Sequence, residues 1–399
     1  MIVQDAREGR ARGWYLAAAG VFAVGMAGTT LPTPLYGLYR EQIGFSELMV
    51  TVVFAVYALG VIAALLVAGD FSDILGRRPV LLFALGLAVL SAVCFLFEDG
   101  LPLLFVGRLL SGFSAGLFSG AATAAVLELA PPERRGRAGF AATAANMGGL
   151  GCGALLSGIL AQYAPWPLRL PFLVHIALLV AALAVTRVLP ETVARRPPRP
   201  PLRPQGMVVP PETRAVFVPA GLAAFAGFSL LGLFTAVAPS FLAQTLGVHN
   251  LAVTGVVVFW VFGSSTAGQL LMSRVGARRA LPTGCLVLTI GMVLVASSLL
   301  VESLPLLIVG GAVGGVGQGL AFRAAMTSVS ARAPDEHRGA TISAFFVVAY
   351  VGISLPVVGV GALTLVLGLR GAGLVFAGCV VLLSSGVGVL LLRRLSQTD

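Results

Sequence analysis

The chain has 399 residues, 58% of them hydrophobic and 11% charged, where soluble domains carry about 25% charged residues. That balance excludes a soluble globular protein and points to an integral membrane protein. The net charge of +10 rests on arginine alone, 26 residues of it; these arginines sit in short segments between apolar runs, a pattern of bilayer orientation rather than of nucleic-acid binding.

A helix needs about 20 mostly apolar residues to cross a bilayer. Cut at its charged and proline-rich interruptions, the chain yields twelve such spans. Six centre on 14–38, 47–68, 80–97, 103–127, 138–162 and 170–189, and six on 215–243, 251–272, 280–300, 305–329, 340–365 and 371–392. Arg7, Arg10 and Arg12 precede the first run, as in a signal peptide, but its apolar length and the eleven spans that follow favour an uncleaved helix. Pro32 and Pro34 are expected to bend or end that helix near its outer end, as part of an external gate.

Arginine counting orients the chain. With the N-terminus in the cytoplasm, cytoplasmic segments hold 21 arginines and external segments three: Arg40, Arg169 and Arg370. Both termini are therefore expected on the cytoplasmic side. The segment between spans six and seven is rich in proline and arginine and reads as a cytoplasmic linker. It divides the chain into an N-terminal six-helix bundle (1–189), the linker (190–214) and a C-terminal six-helix bundle (215–399). A repeated phrase supports a duplication: A-P-P-E-R-R-G at Ala130–Gly136 and A-P-D-E-H-R-G at Ala333–Gly339, 203 residues apart.

The loop after the second span reads G-D-F-S-D-I-L-G-R-R-P, Gly69 to Pro79. It resembles the loop motif of the major facilitator superfamily, G-x-x-x-D-x-x-G-R-[RK], with Gly69, Asp73, Gly76, Arg77 and Arg78 in place. With twelve spans divided six and six, the resemblance covers the whole chain. It implies an all-α integral membrane fold of two pseudo-symmetric six-helix bundles that rock about a central site. It also implies that the Asp73 carboxylate helps lock the cytoplasmic side shut while the cavity opens outward. The second half keeps only Gly276-Ala277-Arg278-Arg279, with Ser273 at the place of the acid, so the lock is expected to be asymmetric.

In the fourth span Arg108, Gly112, Gly116 and Gly120 recur every four residues and share one helix face. The tenth span repeats the stripe in Gly311, Gly315 and Gly319, with Arg323 at the place of Gly120. Such glycines let neighbouring helices approach closely. Gly149 and Gly153 form a similar face in the fifth span, where Gly148–Gly158 resembles the fifth-helix motif of drug:proton antiporters without its usual Gly-Pro. An intramembrane charge costs about 2.5–3.5 kcal/mol on insertion scales, which makes Arg108 and Arg323 functional candidates.

Arg108, Glu128, Arg137 and His175 are the coupling candidates; Glu128 resembles part of the family's cytoplasmic charge relay, and the ordinary imidazole pKa near 6.5 suits a proton carrier. Tyr57, Arg108, Asn146, Gln269, Gln318, Arg323 and Tyr350 are the candidates for the substrate cavity. No Asp or Glu lies deep in any span, so Arg108 favours an anionic, zwitterionic or neutral substrate over a cation. His175, His249 and His337 are far apart, and the four cysteines lie in apolar runs without ligand spacing; no cofactor, metal or enzyme chemistry is expected.

The expected function is efflux of a small organic molecule by proton antiport across a bacterial cytoplasmic membrane, carried out by a monomer with no nucleic-acid partner. The alternatives are uptake of a metabolite by proton symport or uniport, and a non-transporting receptor on the same fold.

Overall fold

In a bilayer every backbone N–H and C=O must be satisfied within the protein, and a continuous helix does this segment by segment. A computed structural model describes residues 2–68, 71–97, 100–193 and 206–396, without the side chains of residues 2–12 and 395. Gly69 and residues 194–205 of the linker lie outside the described residues.

Helices occupy each expected span. The first runs Ile2–Thr30, breaks at Leu31-Pro32, turns through Thr33–Leu35 and resumes as Tyr36–Ile43. The break falls where the prolines were expected to act. The next five are Glu47–Ala68, Arg77–Leu96, Leu101–Glu128, Arg135–Tyr163 and Leu170–Val188. The seventh is Pro211–Gly232, continued by a wider π turn, Leu233–Val237, and by Ala238–Gln244. Pro239 lacks the N–H that a regular turn needs, and the π turn absorbs that defect. The eighth to tenth are Leu251–Val275, Ala277–Val301 and Leu304–Arg332. The last helical stretch, Arg338–Ser396, is two spans joined at Gly368, whose φ of 68° breaks the helical path.

Hydrogen bonds fix which helix ends share a face. Arg77 at the start of the third span reaches Glu128 at the end of the fourth, and Thr213 at the start of the seventh reaches Arg332 at the end of the tenth. This face also holds the start of the first span and the end of the twelfth, and is called the terminal face below.

The third, sixth, ninth and twelfth spans carry outward apolar side chains, among them Phe83, Leu90, Val180, Ile290 and Leu382. These positions would meet lipid tails. The other eight spans surround the interior. The halves meet along two seams, the fifth span against the eighth and the second against the eleventh.

Glycine sets how closely the helices approach. A Cβ added at Gly112 would lie 2.0 Å from the Tyr57 carbonyl oxygen, and one at Gly116 2.6 Å from Ala64 Cβ, so the fourth span lies directly on the second. At Gly149 and Gly153 it would meet Ala23 and Ala27 of the first span; at Gly315 and Gly319, Val261 and Ser265 of the eighth. These six glycines are thus at helix crossings. Gly120 is the exception in its stripe: nothing stands within 4 Å of its added Cβ.

Candidate functional site

The eight inner spans enclose a cavity of about 640 Å³ between the halves, within the usual range for small-molecule sites, about 300–1,000 Å³. Its lining runs from Thr29, Thr30 and Arg108 down to Asp73, Thr327 and Gly339 near the terminal face. At the opposite face the halves touch. A Cβ added at Gly158 would come within 2.4 Å of the Leu251 carbonyl, and one at Gly255 within 2.6 Å of that of Ala154. The Gln162 side chain accepts from Leu251 N–H at 2.8 Å.

Arg108 stands at the closed end. It is seven residues into the Leu101–Glu128 helix, about 10 Å deep at 1.5 Å per residue. Its side chain is 1% exposed. Nη1 donates to the Thr29 carbonyl at 2.6 Å, while Nε has no partner. The guanidinium carbon lies 4.9 Å from the Tyr57 ring centre and 5.3 Å from that of Phe54, an arrangement in which ring faces attract the cation. Among the described residues no carboxylate pairs with it.

The facing wall is aromatic and comes from the second half. Phe228 lies 5.3 Å from Phe322 and 5.7 Å from Tyr350, ring centre to ring centre, and Phe346 lies 6.5 Å from Tyr350. Tyr350 meets Tyr57 edge-on at 6.3 Å, so the two halves touch through tyrosines at the cavity's centre. Asn146 and Gln269 also line the cavity, and Asn146 Oδ1 and Gln269 Nε2 are buried without partners. Arg323 is exposed and lines the cavity, nine residues before the end of its helix.

Near the cavity mouth, the loop motif is tied into one knot. Gly76 adopts φ +107°, which lets the third helix start straight after the turn. Arg77 then forks: it pairs with Asp73, donates to Ser72 at 2.6 Å and to both oxygens of Glu128 at 2.9 and 3.3 Å. The Glu191 carboxylate accepts from the backbone N–H of Arg77 at 2.9 Å and of Arg78 at 3.1 Å, at the helix N-terminus where negative charge is favoured. Thr192 donates to Glu128 at 2.5 Å. The phrase Pro190-Glu191-Thr192 thus closes the knot, a role not read from the sequence.

A second polar cluster holds the opposite face. Glu47, in the first turn of the second span, pairs with Arg40. Its carboxylate also accepts from Ser240 at 2.8 Å and from Gln244, both in the second half. In the sequence Glu47 is simply the first residue of the second span. The signal was weak, because a carboxylate there is also what an ordinary helix start carries.

One cavity candidate needs correction, and two coupling candidates stand apart from the cavity and the knot. Gln318 does not line the cavity; it accepts from Ser265 at 2.6 Å and packs over Gly227. His175 is also away from it, buried among the first, third, fourth and sixth spans, with Nε2 directly over Gly28. Arg137 is exposed and takes no part in the knot, where Arg77 supplies the cation for Glu128.

Two helical bundles around a shared cavity, sealed at one face and lined to the other, define the architecture of a membrane transporter. The sequence matches the Major Facilitator Superfamily model over residues 17–355 and 264–398, and the chain belongs to that family. An uncharacterised MFS-type transporter of Mycobacterium tuberculosis (strain ATCC 25618 / H37Rv) is 32% identical over 153 residues, 38% of this chain and 22% of the relative. The sugar transporter ERD6-like 6 of Arabidopsis thaliana is 24% identical over 134 residues, 34% of this chain and 27% of the relative. The matched stretches thus span about a quarter of these relatives' lengths.

Among solved structures, the human organic anion transporter MFSD10 aligns with a TM-score of 0.69 at 18% identity, over 95% of this chain and 99% of that one. A bacterial homologue of the human lysosomal transporter Spinster, inward-facing and unoccupied, aligns at 0.73 and 15% identity, over 96% and 97%. A POT family transporter bound to a thioalcohol-conjugated peptide aligns at 0.77 and 13% identity, over 98% and 97%. These likenesses establish the shared fold.

Proposed function

We propose that the protein is a secondary active transporter of a bacterial cytoplasmic membrane that exports a small organic molecule in exchange for protons, by alternating access. The observation that carries this reading is the cavity between the halves, closed beyond Arg108 and lined down to Asp73 and Gly339. The excess of arginine on the terminal face supports placing that face in the cytoplasm, which makes this conformation the inward-facing one. The units that move are 1–189 and 215–399, joined by 190–214, and one chain suffices.

Two polar clusters serve as alternating latches in this reading. The Glu47 cluster bridges the halves here and must part when the cavity opens outward. The residues around Arg77, from the first half and the start of the linker, are then free to engage the second half as the cytoplasmic side closes. Asp73 is the group of the knot most open to that role, with its side chain 60% exposed. Asp73 and Glu128 offer titratable carboxylates for proton coupling.

Uptake is the second reading, and the similarity to proteins named as sugar transporters favours it. Solute flux in sealed vesicles separates the two. Export by antiport predicts accumulation in inside-out vesicles that collapses with the pH gradient; gradient-independent equilibration, or accumulation in right-side-out vesicles, refutes it.

A further inference from the structure

The cavity's charges are unevenly placed. Its lining holds two guanidinium groups, Arg108 and Arg323, and one carboxylate, Asp73, which is already paired with Arg77 at the mouth. Asp73 and Glu128 share Arg77, and Glu128 is 20 residues along the same helix from Arg108. At 1.5 Å per residue this puts the acid about 30 Å from Arg108. Among the described residues no carboxylate offsets the deep cation.

The orientation of Arg108 is specific. Nη1 is occupied by the Thr29 carbonyl. Nε is buried and unpaired, and Nη2 has no partner among the described residues. Nε and Nη2 form the edge of a guanidinium that grips a carboxylate through two parallel hydrogen bonds. That edge is left without a protein partner beside a cavity whose facing wall is Phe228, Phe322, Phe346 and Tyr350.

We infer that the transported molecule is a planar aromatic carboxylate or closely similar organic anion, its charge gripped by Arg108 and its flat body stacked on the aromatic wall of the second half. The inference rests on the transport reading above and names its substrate class. Because the anion touches Arg108 in one half and the rings in the other, it is bound by both halves together. Arg323 lies twelve residues deeper towards the terminal face than the position equivalent to Arg108, since Arg323 matches Gly120 at the 203-residue offset. At 1.5 Å per residue it stands about 18 Å along the route, a second cation for an anion travelling that way. A cation would meet two guanidinium groups past the mouth and no carboxylate among the described residues to offset them.

The test uses the purified full chain and three probes of one shape: 1-naphthoate, 1-naphthylmethanol and 1-naphthylmethylamine, with binding read by equilibrium dialysis. Naphthoate is expected to bind at least tenfold more tightly than the alcohol, and the amine more weakly than either. A bidentate charge-assisted contact of this kind corresponds to about 10- to 100-fold in affinity. Arg108→Gln should erase the preference for naphthoate over the alcohol, with an unchanged buried-thiol unfolding transition reporting that the variant is folded. Arg108→Lys, which keeps the charge but not the fork, should lose several-fold for naphthoate alone. Tyr350→Leu should weaken all three alike. Preference for the amine, equal binding of the three, no binding of any, or a naphthoate preference that survives Arg108→Gln overturns the inference. Flux in proteoliposomes separates this from failure of the transport reading. Naphthoate binding without movement refutes transport alone, whereas movement of the amine but not of naphthoate refutes the anion site alone.

Discussion

Gly112→Ala tests whether helix contact sets the geometry of the cavity. The added methyl would stand 2.0 Å from the carbonyl oxygen of Tyr57, about 1.4 Å short of ordinary van der Waals contact. No side chain can swing aside, because the crossing is backbone against backbone: Gly60 lies just as close to the fourth span, where a Cβ would come within 2.3 Å of the Leu109 carbonyl. The fourth span must therefore move off the second by about an ångström. Overpacking of this kind costs on the order of 1–3 kcal/mol. The same shift carries Tyr57 away from Arg108, one turn along the helix from Gly112, and loosens the 4.9 Å contact between guanidinium and ring. Gly120→Ala is the matched control: same helix, same substitution, nothing within 4 Å. Thermal unfolding read by a thiol-reactive dye suits the protein, because Cys94 and Cys285 are buried. Gly112→Ala should unfold several degrees below wild type and show slowed flux, while Gly120→Ala unfolds at or slightly above it. Equal midpoints for both variants would refute the packing argument.

Three other outcomes follow from the latches and the coupling candidates. Glu47→Ala removes the acceptor of Ser240 and Gln244, the two bonds that cross between the halves; at about 1 kcal/mol net for such hydrogen bonds, the outward-open population should rise about fivefold, seen as a longer distance between spin labels across that face, and an unchanged distribution refutes the latch. Glu191→Ala removes the carboxylate that caps Arg77 and Arg78; a lost helix cap costs about 1 kcal/mol, so limited proteolysis at the loop after the second span should quicken without loss of the buried-thiol transition. Asp73→Asn should slow initial rates under an imposed pH gradient more than His175→Ala does, because His175 is sealed in the first half away from the cavity; the reverse order contradicts the assignment of coupling to the loop.

The spans were legible because apolar length is a one-dimensional property, and the prolines at 32 and 34 marked the break in the first helix. The glycine stripes were legible too, since four-residue spacing puts Arg108, Gly112 and Gly116 on one face whatever surrounds it. Rotation of a face towards cavity or neighbour is a different matter. Gln269 and Gln318 look alike in sequence, each a lone amide in an apolar run; packing turns the first to the cavity and the second to Ser265. His175 is hidden for the same reason. Ion partners in loops are set by the path of the backbone, so Arg77 rather than Arg137 reaches Glu128. The two polar knots join residues 114 and 193 apart in the chain, Arg77 with Glu191 and Glu47 with Ser240, and no local pattern announces such pairs.

The central claim is that one cavity is open to each side of the membrane in turn. Leu150 lines it in the middle of the fifth span. With Cys94, Cys152, Cys285 and Cys379 replaced by alanine, Leu150→Cys gives a single reporter thiol, challenged with a membrane-impermeant thiosulfonate in inside-out and in right-side-out vesicles. Alternating access predicts modification in both preparations, with the faster rate from the terminal face. Modification from the terminal face alone, with the thiol untouched from the other side however long the exposure, would contradict it.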